Sequence, residues 1–105
     1  MNPPIDWESQ IQQLGSLSFE MLELAQAGEW EIVTEREEQR RALLDELFQS
    51  PPPNQWIPLF KDAVQATLDS DAQVQELART EMDKISADLR ALRQGRRALS
   101  AYDDA

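Results

Sequence analysis

Ala78-Arg79-Thr80-Glu81-Met82-Asp83-Lys84-Ile85-Ser86-Ala87-Asp88-Leu89-Arg90-Ala91-Leu92-Arg93-Gln94-Gly95-Arg96-Arg97-Ala98-Leu99 is the stretch that decides the fold class. Ala78, Met82, Ile85, Leu89, Leu92, Arg96 and Leu99 follow one another in alternating steps of four and three. That is the heptad spacing of a helix that packs lengthwise along another helix. The seam is therefore read first as core. A three-helix arrangement can also leave a flanking apolar face open, as a groove for a partner's amphipathic helix. Gly95 lies inside the pattern and weakens it by about 1 kcal/mol relative to Ala. It is expected to mark a hinge between a long helix and a short C-terminal one.

Upstream, Ile57, Phe60, Val64 and Thr67/Leu68 keep helical spacing from a start near Trp56, with Pro58 tolerated in the first turn. At Asp69-Ser70-Asp71, Ser70 with Gln73 resembles a capping box that would open a new helix. With no Gly or Pro to interrupt it, one continuous helix is the favoured reading. Before it, Ser50-Pro51-Pro52-Pro53-Asn54 stops the preceding helix. That helix opens with Glu29 and Glu31, which suit its positive N-terminus. It carries Trp30, Val33, Leu44, Leu47 and Phe48 on one face, and its middle, Glu35 to Arg41, is almost wholly charged. The first helix follows Pro3-Pro4, with Asp6 as N-cap and Glu8 in its first turn. Trp7, Ile11, Leu14, Met21 and Ala25 form its stripe, with Leu17, Leu22 and Leu24 beside it, and Gly28 is the expected C′ residue. Only Gly28 separates the first two helices, which predicts an antiparallel hairpin. The expected architecture is all-α, a three- to four-helix bundle in one domain over 1–105. Its helices lie near 6–27, 29–49, 56–94 and 96–102, and Asp103-Asp104-Ala105 forms a loose tail.

Composition narrows the function. The chain has 105 residues, no Cys and no His. Disulfides, thiolate nucleophiles, Cys-type zinc sites and Ser-His-Asp arrangements are thereby excluded. No catalytic residue, cofactor or metal site is expected. Twenty acidic residues oppose ten basic ones, for a net charge of −10. That field repels nucleic acid and anionic lipid and favours partners with basic surfaces. Residues 1–50 hold eleven Asp/Glu against three Arg, and residues 51–105 nine against seven Lys/Arg. No apolar run approaches the roughly 20 residues of a membrane span. The start, Met1-Asn2-Pro3-Pro4, has neither the basic nor the apolar stretch of a secretory signal. A cytoplasmic protein with no membrane insertion is expected.

The remaining motifs have bland readings beside functional ones. Asp69-Ser70-Asp71 lacks the later Gly and Glu of a calcium loop and reads as a cap or solvated surface. Glu20 and Glu23 lack the His that a di-metal bundle requires. Glu35 to Arg41 is a solvated helix with i,i+4 pairs, such as Glu37 with Arg41, or else an acidic docking surface. Arg90, Arg93, Arg96 and Arg97 could hold phosphate, complement the negative end of a helix, or dock an acidic protein surface. The last fits the net charge better than nucleic acid does.

Three segments together resemble the FliT family of flagellar export chaperones. They are Leu22-Glu23-Leu24-Ala25-Gln26-Ala27-Gly28-Glu29-Trp30-Glu31, Glu38-Gln39-Arg40-Arg41-Ala42-Leu43-Leu44, and Leu92-Arg93-Gln94-Gly95-Arg96-Arg97-Ala98-Leu99-Ser100-Ala101-Tyr102. Their order and spacing match over nearly the whole chain. The resemblance implies a cytoplasmic chaperone that binds a C-terminal helical segment of the flagellar filament-cap protein. It would prevent premature assembly of that client and deliver it to the export apparatus. Some members also bind the flagellar master transcription regulator. Better-known members extend beyond the Ala-Tyr pair with a helix that covers the client groove; that helix is not expected here. Client contact is expected at Val33, Leu44, Phe48, Ile85, Leu89 and Leu92. Docking on the export apparatus is expected at Tyr102 with Arg96 and Arg97, against the alternative that Tyr102 only packs at the bundle's end. The rival function is a structural coiled-coil adaptor, a homodimer joined through the apolar seam.

Overall fold

Asp6 starts the first helix by accepting a hydrogen bond from the Ser9 backbone N–H at 3.2 Å, which satisfies one of the four donors a helix start leaves free. The computed structural model describes residues 4–103. Pro3, at the expected proline lead, and Asp104 and Ala105 of the expected loose tail lie outside the described residues. Helix α1 spans Trp7–Gln26, α2 spans Trp30–Phe48, a 3₁₀ turn covers Asn54–Trp56, and α3 spans Ile57–Asp103. The described residues contain no strand, so the chain is all-α there.

The α1–α2 turn is built on Gly28, whose φ is +77°. Its N–H reaches the Ala25 carbonyl at 3.1 Å, and the Glu29 N–H reaches the Leu24 carbonyl at 2.9 Å. This pair is the Schellman closure, and a left-handed residue is needed to make it. The two helices run antiparallel, as Arg36 pairing with Glu20 and Arg40 bonding Ser18 require.

The described residues form two compact units that divide between Gln75 and Glu76. In the first unit, the opening part of α3 lies against the hairpin and runs parallel to α1. Trp7 meets Phe60 near its start, and Ser18 meets Thr67 and Ser70 further along. The core holds Trp7, Leu14, Leu17, Leu43, Leu47 and Phe60, with Ile11, Leu44, Trp56 and Val64 packed around it. Leu14 and Leu47 are fully enclosed. Phe60 receives Trp7 and Phe48 edge-on, each with ring centroids 5.7 Å apart. Such pairs add about 1 kcal/mol each to area burial.

The charged middle of α2 does not interrupt its buried face. Val33, Arg36, Arg40, Leu43 and Leu47 continue in steps of three and four, and Arg40 is itself buried. Its guanidinium donates to Ser18 Oγ at 3.2 Å and to Asp71. Ser18 also meets Thr67 Oγ1 at 3.3 Å, and Ser70 Oγ donates to the Ser18 carbonyl at 3.0 Å. Three helices thus meet at one polar node whose members are mutually bonded, as burial of polar groups demands. Arg36 donates to Glu20 at 2.7 Å, and that bond, with the carboxylate's charge, raises the guanidinium pKa above its usual value.

Three expectations are corrected. No separate short helix follows Gly95: α3 continues to Asp103, which is helical rather than loose. One glycine costs about 1 kcal/mol, and strong helix formers on both sides outweigh it. Nor is the seam beyond residue 80 core: Met82, Ile85, Leu89, Leu92 and Leu99 are all exposed. The helix also runs through Asp69-Ser70-Asp71, where Ser70 is spent on Ser18 rather than on a cap.

Candidate functional site

The second unit, Glu76 onward, is one helical segment with a large apolar surface open to solvent. Met82, Ile85, Leu89, Leu92 and Leu99 stand 44 to 70% exposed, and Tyr102 is 81% exposed. They share one side because steps of three and four return a 3.6-residue helix to the same face. Isolated exposed leucines need no explanation, but a continuous stripe of them marks an interaction surface.

The stripe has two unlike borders. Ala91, Gly95, Ala98 and Tyr102, at steps of four, three and four, run along one side. They form a shallow notch with Leu92, Leu99 and Arg96. The space where a Gly95 side chain would stand is open, so another backbone can approach closely there. Arg90, Arg93 and Arg97 run along the other side at steps of three and four. Leu89, Leu92, Arg93 and Arg96 surround a second, smaller notch. Arg96 stands in the line of the stripe itself.

The expected site residues separate into groups. Ile85, Leu89, Leu92, Arg96, Arg97 and Tyr102 all lie on this segment and are all exposed. Val33 lies in the core of the first unit, closed to a partner. Leu44 is half-buried against that core, and Phe48 is 62% exposed while its ring edge still meets Phe60. In the first unit, a groove between α1 and α3 is floored by small residues, Gly15, Ser18, Ala66 and Ser70, with Phe19 and Leu22 at its side. Sequence reasoning passed over that groove and over Arg40. The signal for Arg40 was present, since it falls on the three-four steps joining Val33 to Leu43. Among the described residues, no three carboxylates converge on a cation position, and no helix is long and apolar enough to cross a membrane. The exposed surfaces offer docking chemistry: apolar burial, close backbone approach and a row of cations.

A family model described as Flagellar protein FliT matches residues 8–104. No curated protein matches the chain, and no solved structure does.

Proposed function

The chain belongs to the FliT family of flagellar export chaperones, and from that premise we propose that it captures a C-terminal helical segment of the filament-cap protein on the exposed face of α3. Ile85, Leu89 and Leu92 make the apolar contact, while Leu44 and Phe48 lie against the first unit's own core and are not assigned to that face. Val33 supports the core instead of touching the client. The reading is one of equilibrium binding without chemistry: a client helix is held by burial of its apolar face, and its premature assembly is blocked. Arg96 and Tyr102 are the docking point for the export apparatus, and the protein works in the cytoplasm. Arg97, expected at that point as well, lies in the arginine row that borders the client stripe. Contact with the flagellar transcription regulator belongs to the same proposal.

The observation that carries this reading is the exposed apolar stripe from Met82 to Leu99. Its test is co-purification with the filament-cap protein, intact and lacking its C-terminal segment. Capture of the intact protein alone is expected. Equal capture of both overturns the proposal. A second copy of the chain covering the same stripe is the rival, and it predicts a tight dimer by mass in solution with no client affinity.

A further inference from the structure

The eight arginines fall into two sets. Arg36, Arg40, Arg41 and Arg79 each hold a carboxylate, Glu20, Asp71, Glu37 and Glu76 respectively. Arg90, Arg93, Arg96 and Arg97 hold none among the described residues. No Asp or Glu occurs between Asp88 and Asp103, so none lies three or four residues from any of the four. Their neighbours at that spacing are instead one another: Arg90 with Arg93, Arg93 with Arg96, and Arg93 with Arg97. Such like-charge pairs disfavour the helix that carries them. A chain with twenty acidic residues thus keeps an uncompensated basic row beside an uncovered apolar stripe.

We infer that the partner of the α3 face is an amphipathic helix whose apolar stripe is bordered by Asp or Glu, and that Arg90, Arg93 and Arg97 select it by pairing with that acidic border. The inference rests on the proposed client-binding reading of the stripe and names the chemistry of the helix that fits it. The positions explain the fit. A helix laid along Leu89, Leu92 and Leu99 comes close at the Ala91, Gly95 and Ala98 side, where no bulk intervenes. Its other border then faces the arginine row, which spans two turns at steps of three and four. Acidic residues at the same steps on the incoming helix meet it in register. The chain's net charge of −10 opposes an acidic partner at long range. At physiological salt that field fades over about 8 Å, while paired side chains lie within 4 Å. Selection therefore has to arise from local contact.

The test uses the full chain and synthetic helical peptides of equal length with one leucine stripe. One carries Glu along the border of the stripe, one carries Lys there, and one carries the same Glu residues on the far polar face. Fluorescence anisotropy reads the affinities at low and high salt. The expected result is about tenfold tighter binding of the Glu-bordered peptide than of the other two, the sum of a few exposed ion pairs. That preference disappears at high salt and in the R90Q/R93Q/R97Q variant, whose substitutions are all on exposed positions. Equal binding of all three peptides, abolished by Leu92→Asp, would leave the stripe as a binding face and overturn its selection by charge. If no peptide binds at all, the client-binding reading falls with the inference. Partition of the chain into phosphatidylglycerol vesicles, with no preference among peptides, would overturn the inference in favour of a membrane surface.

Discussion

Arg40 of α2 and Asp71 of α3 form an ion pair in which the arginine side chain is 5% exposed and the aspartate 38%. The two ends of this pair differ in what their loss leaves behind. Asp71→Ala strands a buried cation, whereas Arg40→Met leaves a part-exposed carboxylate that water can reach. Ser18, which loses the guanidinium in the second case, still has Thr67 as a partner. Removing one partner costs about 3 kcal/mol when the charge left behind is buried, and much less when, as for Asp71, it is part-exposed and water can solvate it. Asp71→Ala is therefore expected to lose about 2–3 kcal/mol and Arg40→Met less than about 1 kcal/mol. Urea midpoints with unchanged slopes measure both. The reverse order would mean that the node is held by packing rather than by charge.

Gly28 and Gly95 should respond to alanine with opposite signs. Gly28 sits at φ +77°, where a Cβ is strained, and Gly28→Ala should destabilise by about 1 kcal/mol. Gly95 is helical and open on its side-chain face, so Gly95→Ala should stabilise by up to about 1 kcal/mol. Thermal melts of the two variants give the signs directly. Destabilisation by Gly95→Ala would show that α3 is not a plain helix there.

Leu47 and Leu92 separate core from surface. Leu47 is fully enclosed, and Leu92 is 70% exposed. Leu47→Ala should cost about 3 kcal/mol through lost burial and the cavity left behind. Leu92→Ala should change stability by less than about 0.5 kcal/mol. A large loss at Leu92 would place it in a buried interface of the free protein.

The helices were legible in the sequence because their punctuation is strong: Asp6 as a cap, Gly28 as a left-handed stop, three prolines before Asn54. The hairpin followed from the single glycine between two amphipathic stripes. What the sequence hid has physical causes. A buried arginine looks like a surface one until its acceptors, Ser18 and Asp71, are brought in from helices 22 residues before it and 31 after it. A heptad seam states that a helix wants a partner but not whether the chain itself supplies one. Leu43 rather than Leu44 joins Leu47 in the core, and Phe48, placed on that face by its spacing, is exposed with only its ring edge on Phe60. Gly95 misled because a local preference of about 1 kcal/mol is small beside the helix around it.

The central claim is that the exposed stripe of α3 is a binding face rather than misplaced core. Calorimetric titration of the filament-cap protein into the intact chain and into a Leu89→Asp/Leu92→Asp variant tests it most directly, with urea midpoints measured alongside. Both positions are exposed, so the variant should keep the parent's unfolding free energy within about 1 kcal/mol while losing measurable client binding. Undiminished client binding by a variant that folds as well as the parent would contradict the claim.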